Sequence, residues 1–263
     1  MNLQDRVVIV TGSGGPGCGR AIALRFAALG ATVVVTDIDE QGGQETRELI
    51  ESAGGKAVFL RFNLDSEYHA SSLIRTAEER FGGIDVIVNN ASAAYRASEP
   101  FEHWVETLEV DLLAPIYLTI HGLPILKRRG GAIVNIASVS AVGHGRKHAV
   151  VPAYDVAKAG LIRLTTTLGI LQSEGVRVNC LAPGWIATPE VQAYVDTLDP
   201  AQRSARGVPD TLLDTSQIAD AVVRLATDES LAGRVMVWWN DQAPGLIPAG
   251  SQGYERLEPL PPQ

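Results

Sequence analysis

The sequence predicts an α/β fold: one doubly wound parallel sheet with helices on both faces, built as a single domain. Three observations predict it. Strand-like and helix-like segments alternate along nearly the whole chain, the pattern of a parallel sheet covered by its own crossovers. The strand segments are almost continuously apolar, as strands buried on both faces must be. The first strand runs directly into a glycine-rich turn that opens a helix. A length of 263 residues suits one such unit.

The first strand is the β-branched run 6–11 (Arg-Val-Val-Ile-Val-Thr), and the turn after it reads Gly12-Ser13-Gly14-Gly15-Pro16-Gly17-Cys18-Gly19. Ala21, Ile22, Leu24, Phe26, Ala27 and Leu29 then recur at helical spacing, and Gly30 is placed as a stop. Glycines let a backbone approach a ligand, and a helix start offers unpaired N–H groups to an anion. Gly12, Gly14 and Gly17 satisfy the spacing of a dinucleotide-binding turn. The second strand, 31–36, ends in Asp37, about twenty residues beyond Gly17. An acid there is placed to accept from a ribose 2′-hydroxyl and to repel a 2′-phosphate. No Lys or Arg lies between Thr11 and Gly19 and none directly follows Asp37, so NAD is expected rather than NADP. A second reading of Asp37 stays open, as a solvated loop acid beside Asp39 and Glu40.

Further strands are expected near 57–62, 84–89, 131–136, 176–181 and 234–239, with helices near 40–53, 66–81, 100–128, 152–174 and 215–227. Right-handed crossovers then leave a Rossmann sheet as the expected topology. A substrate lid is expected at 189–214, where Val191, Tyr194, Val195 and Leu198 share a helical face. The dinucleotide-binding domain is thus read as 1–243, and 244–263 as a tail too rich in proline for a helix or a central strand.

Bulk properties narrow the function classes. Apolar residues make up 46% of the chain and the mean hydropathy is +0.08, values of a soluble globular protein. No uninterrupted apolar run reaches the length of about 18 residues that marks a membrane span, and the first residues carry no signal-peptide pattern. A net charge of −8 argues against nucleic acid as a general partner. Two cysteines form no disulfide framework, so a cytoplasmic, reducing compartment is expected. Cys18, near a helix start, is a candidate for a somewhat acidic thiol, or simply a small residue in a tight turn. The five histidines show no metal spacing, and no metal site is expected.

Tyr154 and Lys158 stand four positions apart on an expected helix, hence on one face. A free phenol ionises near pH ~10; an adjacent ammonium favours the phenolate and makes it usable for proton transfer. Ser138, at the end of a strand, is the expected partner, with Ser140 a rival two residues on.

Together these residues resemble the classical short-chain dehydrogenase/reductase family from about residue 3 to 240. The resemblance is carried by Thr11-Gly12 with Gly17-Cys18-Gly19, by Asn89-Asn90-Ala91, by Asn135-Ile136-Ala137-Ser138-Val139, by Tyr154 and Lys158, and by Arg177-Val178-Asn179 with Pro183-Gly184 and Thr188. It implies an oxidoreductase interconverting a secondary alcohol and a ketone with NAD. Tyr154 would be the general acid/base, Lys158 would lower its pKa and bind the nicotinamide ribose, and Ser138 would hold the substrate oxygen. It further implies cofactor contacts at Gly12, Ser13, Gly17, Cys18, Gly19, Asp37, Ile38, Asn63, Leu64, Asn90, Ala91, Pro183, Gly184, Ile186 and Thr188, and a homotetramer paired through helices 100–128 and 152–174. Alternatives are a catalytically silent nucleotide-binding scaffold and an NADPH-dependent carbonyl reductase. Enoyl reduction goes with a wider Tyr–Lys spacing in this family, and epimerases carry a larger C-terminal domain.

Three positions depart from the family pattern. The cofactor turn has one extra residue, with Pro16 inside it. Asp111 stands where a helix asparagine is usual, whose main-chain carbonyl holds a water beside the lysine; Asp111 is assigned the same carbonyl role. Ser92 replaces the glycine that commonly follows Asn-Asn-Ala. The loop after Val139 carries His144, Arg146, Lys147 and His148, a second source of either anion attraction or plain surface charge.

Overall fold

The structure, a computed structural model, describes residues 1–93, 103–143 and 152–250. Its strands are β1 (Val7–Thr11), β2 (Thr32–Asp37), β3 (Lys56–Arg61), β4 (Val86–Asn89), β5 (Ala132–Ile136), β6 (Arg177–Pro183), β7 (Val235–Trp238) and β8 (Gly245–Leu246). Its helices are α1 (Cys18–Ala28), α2 (Glu40–Ser52), α3 (Glu67–Phe81), α4 (Trp104–Leu108), α5 (Ala114–Arg129), α6 (Pro152–Thr167), α7 (Pro189–Asp196), α8 (Pro200–Ala205) and α9 (Thr215–Thr227).

The strands form one sheet in the order β3-β2-β1-β4-β5-β6-β7-β8. All neighbours are parallel except β7 and β8, which pair antiparallel over Met236–Leu246 and Val237–Gly245. The chain leaves β1 for β2 and β3 on one side and returns to β4 on the other, so the order reverses between β1 and β4. Helices on either side of such a reversal leave a crevice beyond the carboxyl ends of the strands.

Alternation of side chains across each strand divides the core. Val8 and Val10 pack with Ile22 and Phe26 of α1, Ile50 of α2, and Val222 and Leu225 of α9. Val7 and Ile9 pack on the other face with Leu73 of α3 and Leu118 and Leu126 of α5. Phe26, Ile22, Ile9 and Leu126 are completely buried, each worth about 1.5–3 kcal/mol against exposure.

Helical structure from 104 to 129 is continuous but not uniform. Between α4 and α5 lies one π-helical turn, Glu109–Leu113, and such a bulge frequently marks a functional site. This stretch is long and apolar enough, by length and composition, to cross a membrane. Here α5 instead packs one face against the sheet, burying Leu118, Ile125 and Leu126. The segment expected as one helix over 152–174 divides as well: α6 tightens into a 3₁₀ helix, Leu168–Glu174.

A buried carboxylate ties the sheet together at its amino end. Asp85, fully inaccessible, accepts from Val7 N at 2.8 Å, Arg6 Nη1 at 2.8 Å and Arg129 Nε at 2.9 Å. Burial pushes its pKa up, but the hydrogen bonds from Arg129, Val7 and Arg6 outweigh that and hold it below the usual carboxylate value. Asp85→Ala is expected to destabilise the protein by about 2–4 kcal/mol in urea unfolding at neutral pH. Because the folded pKa is the lower one, that difference is complete above the unfolded value of about 3.9 and disappears as pH falls through the folded value.

Candidate active site

Strands β1, β4, β5 and β6 end together, and the loops leaving them border a cleft of about 470 Å³. At its floor α1 starts against the turn after β1. A Cβ on Gly19 would lie 2.1 Å from the Gly12 carbonyl oxygen, and one on Gly12, itself at φ +63, would lie 2.7 Å from Ala91 Cα. Side chains there would separate α1 from the sheet. Gly17 caps α1 without a side-chain hydrogen bond, and the first turn holds no acid. The helix start therefore keeps its N–H groups and its positive dipole end for an anion in the cleft.

Asn90 locks this turn from β4: its Nδ2 donates to the carbonyls of Thr11 at 2.9 Å and Gly12 at 3.0 Å. Thr11 Oγ1 in return accepts from the N–H groups of Asn90 at 3.0 Å and Ala91 at 2.9 Å. Ser13 lies beneath the turn, donating to Val10 O at 2.7 Å. Asp37 closes the near side, its Oδ2 accepting from Gly14 N at 2.7 Å and its Oδ1 from Asp39 N at 3.0 Å. A Cβ on Gly14 would come 2.9 Å from Asp37 Cγ, so the glycine admits the carboxylate to the turn. Gly15 and Pro16 of the lengthened turn line the cleft, and a Cβ on Gly15 would have no neighbour within 4 Å.

The opposite wall carries the proton chemistry. A buried polar ladder anchors α6: Asn89 Nδ2 donates to Asn135 Oδ1 at 2.8 Å, Asn135 Nδ2 to Thr165 Oγ1 at 3.0 Å, and Thr165 to Leu161 O at 2.9 Å. On the same helix the Lys158 ammonium lies 5.2 Å from the Tyr154 ring centroid and donates to Ile136 O at 3.1 Å. It also pairs with Asp111 Oδ2 at 3.0 Å, both side chains being almost wholly buried. Burial acts most strongly, to lower the Lys158 pKa, yet the charges of Asp111 and Tyr154 and the hydrogen bond with Asp111 together outweigh it and hold the ammonium above its usual range. Beside the main-chain role expected of Asp111, its side chain reaches the lysine itself, from the π-helical turn. Ser138 Oγ accepts from Ser140 N at 3.2 Å and caps the 3₁₀ turn Val139–Val142. Ser138 lines the cleft and its rival Ser140 does not.

Gly12, Gly17, Cys18, Gly19, Asn90, Ser138, Tyr154, Lys158, Pro183, Gly184, Ile186 and Thr188 thus line one cleft. Asn63 and Leu64 do not: Asn63 Nδ2 donates to Asp65 at 2.6 Å and Leu64 is buried in the core. Ile38, just beyond Asp37, is 59% exposed. Cys18 shows no acidic thiol; burial pushes its pKa up to about 11. The basic residues of the loop from His144 to His148 lie outside the described residues. Among the described residues no cluster of metal-ligating side chains occurs.

Sequence reasoning missed the adjoining hollow of about 540 Å³, lined by Val139, Trp185, Arg206, Trp239 and Asn240. It begins one residue beyond both Ser138 and Gly184. Trp185 stacks on Tyr194 of α7, centroids 6.4 Å apart and planes 7° apart. Arg206 lies 5.5 Å over the other ring and donates to its hydroxyl. The tryptophans at these positions were the available signal.

Residues 15–236 match the family described as enoyl-(acyl carrier protein) reductase. The chain belongs to the short-chain dehydrogenase/reductase family. Among curated relatives of that kind, the (2S)-[(R)-hydroxy(phenyl)methyl]succinyl-CoA dehydrogenase subunit of Thauera aromatica is 32% identical, covering 90% of this chain and 96% of its own. Cis-4-hydroxycyclohexanecarboxylate dehydrogenase of Sinomonas cyclohexanicum is 32% identical over 86% of this chain and 91% of its own. A solved structure described as a short-chain dehydrogenase/reductase from Burkholderia xenovorans superposes with a TM-score of 0.80 at 30% identity, covering 90% of this chain and 96% of that one. The protein is accordingly an oxidoreductase of a family that uses nicotinamide cofactors.

The short-chain dehydrogenase/reductase turn in this chain fits such a cofactor. The uncapped start of α1 would hold a pyrophosphate, and the glycine contacts leave no space for side chains between it and β1. Gly19→Ala is expected to lower thermal stability by about 1–3 kcal/mol and to weaken NADH binding, read by fluorescence, by about tenfold or more. Gly15→Ala, whose Cβ meets nothing within 4 Å, is expected to leave the thermal stability unchanged.

Proposed function

We propose that this protein interconverts a cyclic secondary alcohol and its ketone, with NAD as the preferred cofactor. The observation that carries this reading is the buried Lys158 ammonium beside the Tyr154 ring, in the same cleft as Ser138 and the glycine turn. Nicotinamide, when bound, supplies the hydride chemistry. Tyr154 takes the proton from the substrate hydroxyl in oxidation and returns it in reduction. Lys158, fixed by Ile136 O, favours the phenolate by its charge. Ser138 accepts from the backbone with a lone pair and can donate its proton to the substrate oxygen as charge develops there.

Asp37 supports NAD, since its carboxylate sits on the turn itself and repels a 2′-phosphate. One observation favours NADP instead: Arg61 stands opposite Asp37 in the sheet register. That guanidinium is already engaged by Ile38 O at 3.1 Å and Glu40 at 3.2 Å, which supports the NAD reading. The aromatic hollow with Arg206 suits a ring-bearing substrate with an acid group, in line with the hydroxy acids named for two relatives. We place the protein in the cytoplasm. Copies of the chain, on this reading, form a tetramer through helical faces where Val105, Ile120 and Val156 stand exposed.

The test is turnover of cyclohexanol, hydroxycyclohexanecarboxylates and benzylic secondary alcohols with NAD and NADP, followed as reduced-cofactor absorbance. Wild type is expected to turn over with NAD, and Tyr154→Phe to lose about 10²-fold or more in kcat. Asp37→Ala is expected to erase a preference for NAD of at least about tenfold. Reduction of an enoyl thioester in place of any alcohol oxidation would replace this reading with the enoyl chemistry of the matched family's description.

A further inference from the structure

Two departures from the family pattern, Ser92 and Asp111, stand nineteen positions apart in the sequence and meet in the fold. Ser92 Oγ donates to Asp111 Oδ2 at 2.5 Å, and Ala93 N donates to Asp111 Oδ1 at 2.7 Å. The Lys158 ammonium completes the set at 3.0 Å on Oδ2. Three donors therefore converge on one side chain that is 0% exposed. An ionised carboxylate accepts all three, because it carries acceptors only. An asparagine in the same place would turn an NH₂ group either toward Ala93 N or toward the ammonium, donor against donor, though the serine hydroxyl could accept from it. Glycine at 92 would remove one of the three. The two substitutions thus form a single device, and the π-helical turn Glu109–Leu113 is what carries the carboxylate to the lysine.

We propose that Asp111 is a positioning residue acting through its carboxylate: Ser92 and Ala93 hold it, it fixes the Lys158 ammonium, and its charge sets the pH at which oxidation switches on. The proposal rests on the assignment of Tyr154 and Lys158 to proton transfer. With Asp111 and Ile136 O each taking one N–H, the ammonium is oriented by the protein before any ligand arrives, and one N–H remains. The titratable groups against the ammonium are Asp111 from the π turn, Tyr154 from the preceding turn of α6, and Cys180 from β6. Burial holds the Cys180 thiol protonated up to about 12, so the negative charges in play are the carboxylate and the phenolate. Asp111 opposes a second negative charge beside the same cation. The chain then needs a higher pH to activate the tyrosine than it would with a neutral residue at this position.

Two measurements decide it. The first needs no turnover: thermal unfolding of Asp111→Asn, Lys158→Met and the double variant. Asp111→Asn is expected to lower the melting temperature of the wild type and to leave that of Lys158→Met unchanged or higher, since the lone buried carboxylate is then relieved. An equal loss in both backgrounds would overturn the ion pair and the proposal with it. The second is the pH profile of kcat for alcohol oxidation. Asp111→Asn is expected to move its acid limb down by about one pH unit, while Ser92→Ala, which keeps the charge, moves it far less. A limb that stays in place or rises in Asp111→Asn would reduce Asp111 to a packing group and overturn its influence on the tyrosine. If the wild type oxidises none of the alcohols, it is the proposed function that fails, and the unfolding cycle still decides whether Asp111 fixes Lys158.

Discussion

The arrangement of every chemical group in this protein follows from one constraint: its central strands are dry on both faces. Val8, Ile9 and Val10 of β1, Val86, Ile87 and Val88 of β4, and Ile133 and Val134 of β5 have no accessible surface. A backbone so placed meets all its hydrogen bonds within the sheet, and reacting groups are displaced to where the strands stop. Four neighbouring strands, β1 on one side of the reversal in strand order and β4, β5 and β6 on the other, stop together. The cleft is the space their loops enclose.

Several polar side chains that enter the dry region are paired across elements distant in sequence. Asp85 joins the start of β1 to the end of α5. Asn89, Asn135 and Thr165 join two strands to α6. Asn179 of β6 donates to Leu225 O of α9 and Leu231 O, and accepts from Arg234 N. Unpaired, such groups would be strongly destabilising in this setting; paired, they tie tertiary neighbours in one register. The helix that carries Tyr154 and Lys158 is therefore seated by hydrogen bonds as well as by apolar contact.

Much of this was legible in the residues. The glycine spacing after 6–11 predicts the start of α1, and the apolar runs predict seven of the strands within a few residues. Strand β8 was not legible: two residues beside a proline carry no periodicity, and only the neighbouring edge of β7 gives them a partner. Nor was the change from α6 to a 3₁₀ helix, because the apolar spacing runs through Leu168 without a break. Gly169 there approaches Gly233 so closely that a Cβ would lie 3.0 Å from its Cα, a tertiary contact that no local pattern encodes. Tyr154 and Lys158 were found by spacing because both ride on one helix. The link from Asp111 to Ser92 was hidden because it depends on a turn of π helix, and the burial that decides between the two readings of Cys18 is not written in its place near a helix start.

The two ends of the sheet differ, and the difference bears on how the protein behaves in a crowded solution. At one end β3 presents the charged residues Lys56 and Arg61, both exposed. At the other, β8 lies antiparallel over part of β7, and Arg234 Nη2 donates to Ile247 O at 3.1 Å just beyond it. An uncovered, uncharged strand is a template on which another chain can continue a sheet. Among the described residues one margin carries charge at both its ends and the other is two residues long, so a molecule made largely of adhesive β-branched strands gives another chain little edge on which to continue its sheet.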